Sequence, residues 1–148
     1  MLPLLVMSFS ILLARALGAW GLLPIGSWPV ATRVGLAVML LFTASAHFTK
    51  MKADLARMVP TAFPRPELLV AVTGVLEIAG AIGLLIPSTA SVAAYALIAL
   101  LIAMLPANVT AAQKGVTLRG RPATPLVLRI PLQMIWIGLL WWSARACC

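Results

Sequence analysis

Charged residues are scarce in this chain and acidic ones scarcest: charge makes up 9% of the sequence, and Asp54, Glu67 and Glu77 are the only three carboxylate side chains. Soluble domains carry roughly 25% charged residues, so this composition excludes an ordinary water-exposed surface. Cysteine is equally sparse. Cys147 and Cys148 are adjacent, where they neither staple distant elements nor form a Cys-x-x-Cys redox pair. There is no phosphate-binding loop, no nucleophile-and-base constellation and no multi-cysteine metal site. The methionines, Met39, Met104 and Met134 among them, are scattered and read as packing rather than copper ligation. Neither an intrinsic cofactor, nor a metal, nor an independent catalytic activity is expected from these residues.

What is present is apolar. Of the 148 residues 63% are hydrophobic, and the mean hydropathy is strongly positive. A hydrocarbon slab of ~30 Å needs ~20 largely apolar residues per helix. Five such stretches stand out, at residues 2–23, 30–48, 68–86, 92–112 and 125–142. They predict an all-α polytopic membrane bundle, with a four-helix core in residues 30–148 and an additional N-terminal helix and linker in residues 1–29. The first stretch has no cationic segment before it and no small-residue cleavage site after it, so it reads as a membrane or interfacial helix interrupted by Arg15 rather than a removable signal.

Punctuation sets the ends. The second stretch continues as "TKMKADLARM", which predicts a helix running out into water until Pro60 stops it, with Asp54 spaced to meet Lys50 and Arg57. Pro66 and Glu67 suit a first helical turn and Pro87 closes the third span. Ser88 or Ser91 is expected to cap the fourth, and Thr124 with Pro125 to open the fifth.

The net charge of +8 comes from cations spread over short segments, without a basic face interleaved with aromatics, so no nucleic-acid partner is expected. Residues 49–67 hold Lys50, Lys52, Arg57 and Arg65, and residues 113–124 hold Lys114, Arg119 and Arg121. Two crossings separate these segments, which puts both on one side, and the positive-inside rule makes that side cytoplasmic. Trp141 and Trp142 then suit an outer interfacial belt.

Lipid cannot solvate an ionisable side chain, so the polar residues inside the spans mark the bundle interior. Glu77 stands in "TGVLEIAGAIGLLIP", sharing a helical face with Gly74 and Ala81. Arg129, Gln133 and Trp136 form an inward stripe on the fifth span. Asn108 in "LPANVTAA" and His47 in "ASAHF", one turn after Thr43, sit near the same ends of the fourth and second spans. His47, Glu77, Asn108, Arg129 and Gln133 are thus expected to converge in the cytoplasmic half of one bundle, with Glu77 within bonding reach of Arg129 or Gln133. Such a cluster serves either as structural glue, each interhelical bond being worth about 1 kcal/mol, or as a pocket for a small amphipathic molecule or for protons. Asn108-Val109-Thr110 matches a glycosylation sequon but falls within a span.

The segments "LFTASAHFTKM", "MVPTAFPRPELLVAVTGVLEIAGAIGLLIP", "LPANVTAA" and "PLVLRIPLQMIWIGLLWW", in this order and spacing, resemble the bacterial DoxX-like membrane proteins over residues 33–143. The resemblance implies a four-helix bundle in the bacterial inner membrane and a place beside redox systems. Relatives are associated with a thiosulfate:quinone oxidoreductase, with oxidative-stress complexes, with methylamine dehydrogenase maturation and with receptor assembly. Three readings follow. The chain is an accessory subunit of a redox system holding a quinone-like or lipidic ligand, an assembly factor recognising a partner's transmembrane helix, or a small proton-coupled transporter. Membrane lipids and either a membrane complex or further copies of the chain are the expected partners.

Overall fold

The computed structural model describes residues 2–22, 27–118, 120–122 and 124–145. The cysteine pair, part of the first linker and Arg119 lie outside them. The fold is an all-α membrane bundle with five helical stretches long and apolar enough to cross a bilayer. They are formed by α1 (Leu2–Ala19), α2 (Trp28–Ala44), α4 (Pro66–Leu85), α5 (Ala90–Ala103) continued by α6 (Leu105–Gln113), and α7 (Leu126–Arg145), with the short α3 (Lys52–Met58) between α2 and α4.

Helix α2 packs on α4, α4 on α5, α5 on α7 and α7 back on α2, closing a four-helix ring in which α4 and α7 stand diagonally opposite. Helix α1 lies outside this ring against α2. Its outward face, Leu5, Phe9 and Leu12, is exposed, as are Val72, Val75 and Ile82 on α4 and Val92 and Ile102 on α5. Thr32, Arg33, His47, Glu77, Gln133 and Ser143 are buried instead. Apolar outside and polar inside is the arrangement a lipid solvent imposes.

The two basic segments meet at one end. Met58 of α3, Ala111 of α6 and Val116 form a small apolar cluster with Leu55, followed by a two-residue antiparallel pairing of Thr117–Leu118 with Arg121–Pro122 around Gly120. At the opposite end, Arg15 lies over the Trp28 ring at 5.0 Å and Arg145 over Trp141 at 4.3 Å. Cation–π contacts of this kind hold long basic side chains at an interface.

Three helices end earlier than the hydropathy pattern predicts. Helix α2 does not run on toward Pro60: it stops at Ala44, turns through a 3-10 segment at Ser45–Phe48, and only then enters α3. Hydroxyl bonds line this turn: Thr43, Ser45 and Thr49 bond the carbonyls of Leu40, Phe42 and Ala46, local alternatives to the helical ladder. The fourth span breaks at Met104, two residues before Pro106, whose ring nitrogen has no hydrogen to donate to the preceding turn. The first helix also closes at Ala19, short of residue 23. Neither Ser88 nor Ser91 caps α5. Thr89 takes the N-cap position with its hydroxyl turned back to the Gly83 carbonyl at 2.9 Å, and Ser91 bonds the Ala144 carbonyl of α7. Pro125 stands just outside α7, where its carbonyl receives the amides of Leu128 and Arg129.

Glycine permits the close approaches. A Cβ on Gly74 would lie 2.6 Å from the Cβ of His47, and one on Gly80 would lie 2.5 Å from Leu97 Cδ2. The 3-10 turn therefore seats directly on α4 at Gly74. Gly74→Val is expected to lower stability by about 1–3 kcal/mol through overpacking, measured by thermal unfolding in detergent. Gly138→Ala, whose Cβ meets nothing within 4 Å, should not lower the melting temperature and should raise it slightly, since alanine is the better helix former inside α7.

Candidate functional site

The 3-10 turn after α2 points His47 into the bundle. Its Nδ1 lies 2.7 Å from the Val70 carbonyl, and a carbonyl only accepts, so Nδ1 carries the hydrogen and donates. The ring therefore turns its Nε2 toward Glu77, whose Oε1 is 3.9 Å away. Thr73, which sequence reasoning passed over, supports this end. Its hydroxyl lies 3.0 Å from the carbonyls of Leu69 and Val70 and 3.3 Å from His47 Nδ1. On the other side of Glu77, Oε2 lies 3.4 Å from the Thr43 hydroxyl. Glu77 is 4% exposed, so these neighbours largely replace its solvent.

A second network lies across the bundle. Arg129 Nη1 donates to Asn108 Oδ1 at 2.9 Å, Asn108 Nδ2 donates to Gln133 Oε1 at 3.0 Å, and Gln133 Nε2 donates to the Leu101 carbonyl. The break at Met104 explains the last contact. Leu101 is in the final turn of α5, where helical carbonyls lack partners, and a neighbouring side chain supplies the missing donor.

Glu77 does not bond Arg129 or Gln133, contrary to the sequence expectation; among the described residues its polar partners are Thr43 and His47. The reason is the ring order of the helices. Helices α4 and α7 are diagonal, so α4 reaches α2 and α7 reaches the α5–α6 break. Between the two networks lies a cavity of about 280 Å³, walled by Glu77 and Thr43 on one side and Asn108, Arg129 and Gln133 on the other. Trp136 also lines it, as do Pro3 and Leu4 of α1, and the Trp136 Nε1 hydrogen has no partner among the described residues. His47 stands behind Glu77 and lines a neighbouring void instead. The cavity thus offers hydrogen-bond donors on one wall and a carboxyl group on the other. The described residues bring together no group of histidine, cysteine and acidic side chains able to hold a metal ion.

One buried cation was not singled out from the sequence. Arg33, 7% exposed, donates from Nη2 to the Ser143 carbonyl at 3.1 Å. A cation inside an apolar run was the available signal, the same one that marked Arg15. At the C-terminal turn of α7 it meets both an unpaired carbonyl and the negative end of the helix dipole.

No curated protein and no solved structure matches the chain. A family profile described as "Domain of unknown function (DUF8561)" matches residues 36–145. This stretch runs from within α2 to the last residue of α7, taking in most of the four-helix core and leaving α1 outside. By that match, the chain belongs to the DUF8561 family.

Proposed function

We propose that the protein is a small accessory subunit of a redox or respiratory system in the bacterial inner membrane, and that it holds a quinone-like or lipidic headgroup between Glu77 and Arg129. One observation carries the reading: the two ionisable side chains face one cavity of about 280 Å³ without touching each other. A structural ion pair would be in contact, because an unpaired buried charge is costly in hydrocarbon. Separate walls leave room for an occupant that answers both. The volume lies near the lower end of small-molecule pockets, about 300–1,000 Å³, which suits a headgroup more than a large solute.

A quinone head fits the donor set. Its carbonyl oxygens accept hydrogen bonds, from Arg129 at one end and from a protonated Glu77 at the other. The place beside a redox system rests on the resemblance of the motifs around His47, Glu77, Asn108 and Arg129 to DoxX-like proteins. The protein is then a holder of the ligand rather than a catalyst in its own right. A second reading, an assembly factor for membrane proteins, draws on a lipid-facing groove between α4 and α5 lined by Ala79, Gly83, Ala96 and Ala99. Small residues of this kind let a partner helix approach closely.

Native mass spectrometry of the gently purified protein should find a bound quinone or lipid. Glu77→Gln and Arg129→Gln should each lose it while remaining folded. An empty wild-type protein that instead co-purifies with a membrane protein at fixed stoichiometry would favour the assembly reading. For orientation, cysteines placed at Lys52 and Lys114 in a Cys147→Ser, Cys148→Ser background should react with an impermeant maleimide only after the inner membrane is opened. Labelling of intact spheroplasts would reverse the proposed topology.

A further inference from the structure

The cavity between Glu77 and Arg129 adjoins a second void. This chamber, about 320 Å³, lies toward the basic end and is lined mainly by apolar side chains, among them Leu55, Met58, Phe63 and Leu69. Met104 and Asn108 line both spaces. Asn108 is tied by Arg129 and Gln133, whereas Met104, at the helix break, carries an unbranched thioether with three rotatable bonds. Val59, Pro60 and Phe63 are shared in turn with an open surface groove that carries Arg57 and Lys114. Groove, apolar chamber and polar cavity therefore follow one another from the basic surface into the bundle.

We propose that the two inner voids form one site for an amphiphile: a ring with hydrogen-bond-accepting oxygens sits between Glu77 and Arg129, and its hydrocarbon tail passes Met104 into the apolar chamber. This rests on the ligand-holding reading above and adds the tail, the route and the dividing residue. Chemistry selects the direction. The cavity at Glu77 has donors and a carboxyl group for the head, whereas the chamber offers a tail dispersion contacts and few polar atoms. Met104 serves as the movable part of the wall.

The test uses the full-length, delipidated protein in detergent and two probes: the tail-less head 2,3-dimethoxy-5-methylbenzoquinone, and decylubiquinone, which adds a saturated chain. Binding is measured by equilibrium dialysis against matched empty micelles. Wild type should bind the tailed probe at least about tenfold more tightly than the head alone. Ala107→Phe, which fills the chamber, should erase that advantage while leaving the Kd of the head unchanged. Ala103→Phe, at an exposed position on the chamber wall, should do the same and serves if Ala107→Phe misfolds. Glu77→Gln and Arg129→Gln should weaken both probes alike. Equal wild-type affinity for head and tailed probe, or a tail advantage that survives both chamber-filling variants, overturns the two-part site and leaves the head cavity standing. A wild type that binds neither probe overturns both this proposal and the quinone reading. Release of a phospholipid instead of a quinone on extraction, with neither probe competing for its place, would replace the ring by a lipid headgroup and likewise overturn the proposal.

Discussion

A helix end leaves its last carbonyl groups without intrahelical donors, and at each core helix here a side chain meets some of the carbonyls of the closing turn. At the end of α2 the hydroxyls of Thr43 and Ser45 turn back on Leu40 and Phe42. At the end of α4, Thr89 takes Gly83. At the end of α5, Gln133 takes Leu101, and at the end of α7, Arg33 and Ser91 take Ser143 and Ala144. An unsatisfied carbonyl in hydrocarbon costs several kcal/mol, so these donors are constraints on the fold rather than ornaments. They also determine where the remaining polar side chains point.

Two of these endings build the site. Stopping α2 at Ala44 swings His47 inward, and Gly74 clears the space in which the imidazole reaches Val70 and faces Glu77. Breaking the fourth span at Met104 exposes Leu101 to Gln133, which positions Asn108 and, through it, Arg129. The two assemblies stand on opposite walls because α4 and α7 are diagonal in the ring. The separation of Glu77 from Arg129 is thus a consequence of helix order and helix termination, and it leaves room for a ligand instead of a direct pair.

Much of this frame is legible in the sequence for a simple reason. Lipid penalises polar atoms so strongly that Glu77, Arg129 and Gln133 in apolar runs mark the inside, and Pro66, Pro87 and the basic segments mark the ends. The pairing was not legible. Hydropathy does not distinguish a continuous helix from one that turns 3-10 after Ala44 or breaks before Pro106, and each stop resets which way later side chains face. Nor does a linear pattern say that α4 and α7 are diagonal, so depth alone suggested a Glu77–Arg129 bond that the packing does not make. Arg33 carried the same signal as Arg15, yet its role depends on a carbonyl 110 residues away.

The central claim is that Glu77 and Arg129 are independent walls of a cavity and not a structural pair, and a double-mutant cycle tests it most directly. Unfolding free energies of wild type, Glu77→Gln, Arg129→Gln and the double variant are measured in delipidated micelles. Walls that share a cavity without bonding predict single variants that each cost well under the roughly 3 kcal/mol of breaking a buried ion pair, and a double variant no more stable than either single. A loss of about 3 kcal/mol or more in each single variant that the double variant largely recovers would mean the two side chains bond each other, and would contradict the account.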